Sequence, residues 1–143
     1  MMRSLILVLF FLLPAPSAFA QEKEKWQRMI TLDDSAVDMN ISTVVFSTGG
    51  TERVQFRFSR MKAEPVPGMP ESKYKSFIET VEFNCYERLY RVSEVTYFDG
   101  KGKAIRTDEK DASAKWKPER GRGFIERLYD QTCQFIQEKR RNP

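Results

Sequence analysis

Histidine is absent from the 143-residue sequence. Without an imidazole the chain cannot build a Ser-His-Asp or Cys-His catalytic centre, a histidine metal site, or the usual proton carrier near neutral pH. Cysteine is scarce, because only Cys85 and Cys133 are present, and they do not form a C-x-x-C motif. A pair of free, reactive thiols is an alternative, but a structural disulfide explains the two cysteines more simply. We therefore predict no enzyme, no cofactor and no metal.

The N-terminus contains one uninterrupted apolar run, at residues 5–13. No long apolar run follows it in the rest of the sequence. A single arginine precedes this run, and small alanines lie at positions −3 and −1 of a cleavage after Ala20, as in secretory signals. A membrane-spanning helix needs roughly 20 apolar residues, so an uncleaved anchor is the less favoured alternative. The pattern predicts a signal peptide over residues 1–20 and one exported domain over residues 21–143, without a transmembrane segment.

Neither sign of charge dominates the sequence. Lys and Arg number 24 against 20 Asp and Glu, which gives a formal net charge of +4. Proteins that bind nucleic acid usually concentrate their basic residues on one face or along one helix, whereas these are dispersed. We therefore do not expect nucleic acid as a partner.

Several short segments alternate between apolar and polar residues, which is typical of antiparallel strands with one buried face. The alternation is clearest at Val54, Phe56 and Phe58, which we predict to share the buried face. Residues 62–76 contain three prolines, so we predict a long crossing loop there. The other predicted elements are strands at residues 26–32, 39–46, 77–85, 87–98 and 103–107, turns at residues 33–35, 48–51 and 99–102, and a bulge near residues 93–94.

From Gly123 to about Arg140 the apolar period becomes that of an α-helix. The predicted buried stripe of this helix comprises Ile125, Tyr129, Cys133 and Ile136. Cys85 lies on the apolar face of a predicted strand, so a bridge to Cys133 is geometrically reasonable where the helix packs on the sheet. Strands followed by one helix predict an α+β fold: an antiparallel sheet of about six strands with a C-terminal α-helix tied to it by one disulfide.

A family pattern runs through the second half of the chain. Residues 81–88 read Val-Glu-Phe-Asn-Cys-Tyr-Glu-Arg, and an aromatic strand, an Asp-Gly-Lys-Gly turn, a tryptophan and a helix with Cys133 follow. In this order the motifs resemble the surface-adhesin protein E-like family of bacterial envelope proteins over residues 26–133. The resemblance implies an exported, non-enzymatic protein whose C-terminal helix is held to an antiparallel sheet by the Cys85–Cys133 bond. Name-giving members bind host extracellular-matrix proteins, which makes such proteins the expected partner class.

The sequence departs from the family pattern in three places. No cysteine near the predicted cleavage site could carry a lipid, and a basic tail continues after Cys133. Residues 120–123 read Arg-Gly-Arg-Gly where members often have a Pro-Gly-Ser-like turn. The missing lipid site leaves two locations open, the cell surface or extracellular space and the periplasm.

Four of the candidate binding residues lie before the predicted helix, in two separate segments. Arg88 and Arg91 belong to an aromatic-rich segment of a composition that is enriched in binding hot spots, although they are also ordinary strand residues. Arg120 and Arg122 precede a helix N-terminus and could hold an anion there. The alternative for Arg120 and Arg122 is a flexible turn with solvated arginines.

The other candidates are Lys139, Arg140 and Arg141 at the end of the helix. They suit an acidic partner, and they equally suit the negative end of the helix dipole without any partner. The acidic residues between positions 33 and 38 lack the ligand spacing of a calcium loop, so we predict turn and capping roles for them.

Two functional hypotheses follow. The first is an exported, non-catalytic binding module of the bacterial envelope that binds an extracellular-matrix or envelope protein. The second is a periplasmic structural or assembly-accessory protein without adhesin activity.

Overall fold

An antiparallel sheet with one helix across its face makes up the described part of the chain. The computed structural model describes residues 24–46, 49–110, 115–119 and 123–142, so the predicted signal peptide lies outside the described residues. The strands are β1 (Trp26–Thr31), β2 (Ser35–Asn40), β3 (Val45–Phe46), β4 (Glu52–Val66), β5 (Met69–Asn84), β6 (Leu89–Phe98), β7 (Ala104–Glu109) and β8 (Lys117–Pro118), and the helix α1 is Phe124–Arg141. No helix within those ranges is long and apolar enough to cross a membrane.

Six strands lie side by side in the order β1-β2-β4-β5-β6-β7, and every adjacent pair is antiparallel. The two-residue strands β3 and β8 extend this sheet by pairing with β4 and β6 respectively. The predicted α+β class, the sheet of about six strands and the C-terminal helix are therefore confirmed.

A long hairpin of β4 and β5 occupies the segment for which a loop was predicted, so the prediction for residues 62–76 is wrong. The strands turn at Pro67 and Gly68, and Gly68 has the positive φ of 77° that this kind of turn requires. Prolines are tolerated in this hairpin because β2 pairs with β4 only as far as Arg60, and β6 pairs with β5 only from Ser76. Beyond those positions the edges are open and need no N–H donor.

The boundaries of β2 also differ from the sequence prediction of a strand at residues 39–46. β2 ends at Asn40, whose side-chain oxygen accepts hydrogen bonds from the backbone N–H (3.2 Å) and hydroxyl (2.7 Å) of Ser42. Such local hydrogen bonds favour a turn over an extended chain. The chain becomes extended again at β3, which pairs with the start of β4 across the predicted hairpin, where Gly50 has a φ of 75°.

The bulge predicted near residues 93–94 is present in β6. Residues on either side of Ser93 pair with Thr80 and Val81, so Ser93 is the additional residue. Its hydroxyl donates a hydrogen bond to the carbonyl oxygen of Thr80 over 3.1 Å. The predicted turn at residues 99–102 connects β6 to β7, and the carboxylate of its first residue accepts two backbone hydrogen bonds.

The inner face of the sheet, defined as the face that contacts α1, carries the hydrophobic core. Val54 and Phe56 are fully buried there and Phe58 is partly buried, as their alternation predicted. The buried residues of α1 are Leu128, Tyr129, Thr132, Cys133 and Ile136. Ile125, which was assigned to the buried stripe, is instead 47% exposed, because it borders an open apolar pocket rather than the closed core.

Cys85 and Cys133 form the predicted disulfide, with their Cα atoms 5.7 Å apart. Cys85 is the first residue of the turn after β5, and Cys133 lies on the buried side of α1. One helical turn earlier, the hydroxyl of Tyr129 donates a hydrogen bond to the carbonyl oxygen of Asn84 (2.7 Å). The β5–β6 turn is thus joined to the middle of the helix by a covalent bond and a hydrogen bond.

Candidate binding face

The outer face of the sheet, which is opposite to α1, carries two rows of charged side chains. In an antiparallel sheet, residues directly opposite each other project from the same face. The register places Asp38 between Arg28 and Arg57, across β1, β2 and β4. It places Glu82 between Arg53 and Arg91, across β4, β5 and β6. Each row therefore brings two arginines to one carboxylate.

We call the first row the Asp38 clamp; it consists of Arg28, Asp38 and Arg57. Each carboxylate oxygen binds a different guanidinium group: Oδ1 accepts from Nε of Arg28 (2.5 Å), and Oδ2 accepts from Nη2 of Arg57 (2.9 Å). The guanidinium of Arg57 lies over the indole of Trp26, 4.5 Å from the centroid of that ring. Burial by itself would raise the pKa of Asp38, but the two arginines outweigh burial and lower the pKa below its ordinary value. Asp38 is therefore a buried, ionised residue.

The second row, the Glu82 clamp, consists of Arg53, Glu82 and Arg91 and has the same arrangement. Oε1 of Glu82 accepts from Nη2 of Arg53 (3.0 Å), and Oε2 accepts from Nε of Arg91 (2.5 Å). Trp116 lies 4.7 Å from the guanidinium of Arg91. Burial again acts to raise the pKa of Glu82, and the two arginines lower it on balance.

In each clamp two arginines share one carboxylate, and one arginine of each clamp, Arg53 or Arg57, reaches the surface. The carboxylates are almost fully buried, whereas the side chain of Arg53 is 58% exposed and that of Arg57 is 37% exposed. Guanidinium groups that are already fixed by buried carboxylates lose little conformational freedom when a ligand binds. The outer face is therefore a preorganised surface for negatively charged groups.

Arg88 and Arg91, two of the residues proposed from sequence, lie on different parts of the molecule. Arg91 belongs to the Glu82 clamp. Arg88 lies in the β5–β6 turn with a positive φ of 54°, and it forms ion pairs with Glu119 (2.5 Å) and Asp130 (3.0 Å). Its guanidinium also lies 5.2 Å from the ring of Tyr129. Within the described ranges Arg88 therefore connects the turn to α1 and to the segment after β8.

The three basic residues at the end of α1 also have different surroundings. Arg140 forms an ion pair with the buried carboxylate of Glu52 and lies over the ring of Phe46. Lys139 lies over the ring of Phe135 (5.8 Å), and Arg141 is exposed. The two remaining candidates, Arg120 and Arg122, lie outside the described residues.

Sequence reasoning missed three arginines of the clamps, Arg28, Arg53 and Arg57, and both clamp carboxylates. The polar phase of β4 was visible in the sequence, since Arg57 lies between Phe56 and Phe58, which were predicted to share the buried face. The partners of that side chain depend on strand register, which the alternation alone does not define. The sequence did contain one signal for the clamps. Arginines alternate along β4, and isolated acidic residues occur in the neighbouring strands.

An apolar pocket on the inner face contains one charged residue, Glu79. Burial raises the pKa of Glu79, and the positive charges of Lys117 and Lys110 oppose that rise. The apolar and aromatic residues around it are Phe56, Phe58, Val81, Phe83, Tyr90, Val92, Ile125, Leu128 and Tyr129. In the described part of the chain, no three Cys, Asp or Glu side chains group together in a way that could hold a metal ion.

Comparison with known proteins identifies a family. The family model described as surface-adhesin protein E matches residues 26–134. No curated protein and no solved structure matches the chain. The matched range begins at the first residue of β1 and includes both clamps and both cysteines.

Proposed function

Because the chain belongs to the surface-adhesin protein E family, we propose that it is a non-catalytic binding module of the bacterial envelope. In this proposal the module is exported and binds an extracellular-matrix protein or another envelope protein through the outer face of its sheet. The single observation that carries the choice of surface is the pair of clamps, which hold four arginines in place with two buried carboxylates.

Three observations support an exported, non-catalytic protein. The sequence lacks histidine, which removes the commonest catalytic base. The disulfide is typical of proteins that fold in an oxidising compartment. The predicted signal peptide over residues 1–20 would deliver the chain to such a compartment.

Binding experiments with the oxidised protein over residues 21–143 test the proposal. The wild type would be compared with Arg53→Gln/Arg57→Gln on immobilised laminin, vitronectin and solubilised envelope proteins. A Lys101→Gln/Lys103→Gln variant is the matched control, because it removes the same number of positive charges from the exposed connection between β6 and β7. We expect saturable binding to at least one protein, weakened by the clamp variant and retained by the control. Equal weakening in both variants would show that binding depends on net charge and not on the outer face.

The alternative is a periplasmic structural or assembly-accessory protein, and the lack of a lipid-carrying cysteine near the predicted cleavage site favours it. Protease treatment of intact cells distinguishes a displayed adhesin from a periplasmic protein. A displayed adhesin is degraded under these conditions, whereas a periplasmic protein is degraded only after the outer membrane is opened.

A further inference from the structure

The apolar pocket on the inner face places a carboxylate among aromatic rings. Glu79 lies on β5 directly opposite Phe56 of β4 and Val95 of β6, so its side chain projects from the inner face with theirs. The helix contributes Ile125, Leu128 and Tyr129 to the pocket, and Ile125 is 47% exposed. The pocket is therefore open to solvent where the start of α1 meets the sheet.

The carboxylate of Glu79 lacks a partner within the described ranges. It forms no hydrogen bond and no ion pair with a described residue, and Lys117 and Lys110 attract its charge without binding it. An unpaired carboxylate among apolar side chains is unfavourable for stability. Titratable groups in such surroundings are candidates for binding sites, because a ligand can supply the missing partner.

A recurring arrangement elsewhere in the molecule indicates which partner fits. Four arginines of the described chain each bind a carboxylate and lie over an aromatic ring, with the guanidinium carbon 4.5–5.6 Å from the ring centroid. They are Arg57 with Asp38 and Trp26, Arg91 with Glu82 and Trp116, Arg88 with Glu119 and Tyr129, and Arg140 with Glu52 and Phe46. The planar guanidinium satisfies both neighbours, since its edge matches a carboxylate and its face stacks on a ring. The pocket around Glu79 has the carboxylate and the rings, and no described arginine pairs with it.

We propose that the inner-face pocket binds one arginine side chain of a protein partner. The guanidinium would pair with the carboxylate of Glu79, and the aliphatic stem would lie against the apolar wall that includes Phe58 and Ile125. The inference goes beyond the proposed function, because it assigns a separate contact to the face opposite the clamps.

The size of the pocket suits a single side chain. Its cavity is about 50 Å³, a few times the roughly 10–15 Å³ that one water molecule needs. Pockets for whole small molecules are usually about 300–1,000 Å³. An ammonium group suits the aromatic walls less well than a guanidinium, because it is more strongly hydrated and is not planar. The pocket therefore favours the end of an arginine.

Short peptides test this chemistry directly. Capped Gly/Ser peptides would carry one central arginine, lysine or citrulline, and citrulline keeps the shape of arginine without its charge. Titration of the oxidised protein over residues 21–143 would be followed by NMR at the resonances of Ile125 and the aromatic rings of the pocket. We expect the arginine peptide to bind with a Kd on the order of 1 mM, about tenfold more tightly than the citrulline peptide. The lysine peptide should be intermediate.

Variants locate the binding. Glu79→Gln should abolish the preference for arginine over citrulline, and thermal unfolding of the variant would verify that it is folded. Glu71→Gln is the matched control, because it removes one carboxylate from an exposed position of the same strand. This control should keep the preference. Arg53→Gln/Arg57→Gln should also keep it, since both changes are on the outer face.

Several results would overturn the inference. Equal affinity for the arginine and citrulline peptides would do so, as would an arginine preference that persists in folded Glu79→Gln. A lysine peptide that binds as tightly as the arginine peptide would show that the pocket responds to charge and not to the guanidinium. Self-association of the protein that is lost in Glu79→Gln would assign the pocket to a second copy of the chain instead. The proposed function fails separately, if Arg53→Gln/Arg57→Gln captures matrix and envelope proteins as well as the wild type does.

Discussion

Arg140, in the last turn of α1, forms an ion pair with Glu52, the first residue of β4, 88 positions earlier in the chain. The residue Glu52 is 2% exposed, and its second oxygen, Oε2, has no hydrogen-bond partner among the described residues. Burial raises the pKa of Glu52, and the charge of Arg140 opposes that rise. The ion pair of Arg140 with Glu52 therefore holds the end of the helix to the sheet. Arg140 is the cation that compensates the buried charge of Glu52.

Arg140→Gln should destabilise the protein by about 1–2 kcal/mol, because it leaves a buried carboxylate without its cation. The loss is smaller than for a fully buried pair, since the side chain of Arg140 is about half exposed. Urea unfolding at pH 7 measures it, with exposed Arg141→Gln as the control. Equal losses in the two variants would mean that the Glu52 pair contributes nothing specific.

The disulfide should be a major source of stability. Replacing Cys85 and Cys133 by serine removes a cross-link between residues 48 positions apart, which the chain-entropy model values at about 4 kcal/mol. The thermal midpoint of the wild type should fall on reduction and approach that of the double variant. If reductant leaves the midpoint of the wild type unchanged, the bond does not stabilise the fold.

Asp38→Asn should lower the unfolding free energy by about 2 kcal/mol at pH 7, because Arg28 and Arg57 lose their shared carboxylate. The folded pKa of Asp38 is below its ordinary value of 3.8, so its stabilisation is present above that value and is lost as the pH falls. The difference between wild type and variant should therefore shrink below about pH 4. Exposed Asp33→Asn is the control, and a difference that does not change with pH would contradict the prediction.

Glu79→Gln should change the unfolding free energy in the opposite direction to Asp38→Asn and stabilise the protein at pH 7. The folded pKa of Glu79 is above its ordinary value of 4.5, so its stabilising contribution is present below 4.5 and is lost as the pH rises through the folded value. Removing the ionisable group should raise stability by about 1 kcal/mol, which corresponds to about 4 °C in the thermal midpoint. Glu71→Gln, at an exposed position of β5, should have little effect. A lower midpoint for Glu79→Gln at pH 7 would refute the prediction.

Tyr129→Phe should cost about 1 kcal/mol, since it removes the hydrogen bond to the carbonyl of Asn84. Burial raises the pKa of Tyr129 to about 12, so the neutral phenol stabilises the fold below pH 10 and this contribution is lost as the pH rises toward 12. Ultraviolet titration of the folded wild type should show a tyrosine that ionises near pH 12 and is missing from the variant. Its persistence in Tyr129→Phe would assign that titration to another residue.

Local patterns in the sequence were sufficient for much of the fold. The alternation of Val54, Phe56 and Phe58, the helical period after Gly123 and the phase slip at Ser93 all depend on residues a few positions apart. Such neighbours determine which side of a strand or helix is apolar, so the sheet, the helix, the bulge and the pairing of the two cysteines could be predicted. The loop prediction at residues 62–76 failed because a proline is tolerated in a strand where no neighbouring strand needs its N–H group. The sequence alone does not show where the neighbouring strands end.

The candidate site was decided by the tertiary structure. Asp38 meets Arg28 and Arg57, and Glu82 meets Arg53 and Arg91, only because of the registers of the strand pairs. Those registers bury the apolar faces of β1, β2, β4, β5 and β6 in one core with the helix, which requires strands from distant parts of the chain to pack together. The sequence by itself determined which side of β4 and most of which side of the helix is apolar, the pairing of its two cysteines and its family. Packing of the strands determined which charges meet, because cross-strand neighbours are distant in the chain and no local pattern identifies them.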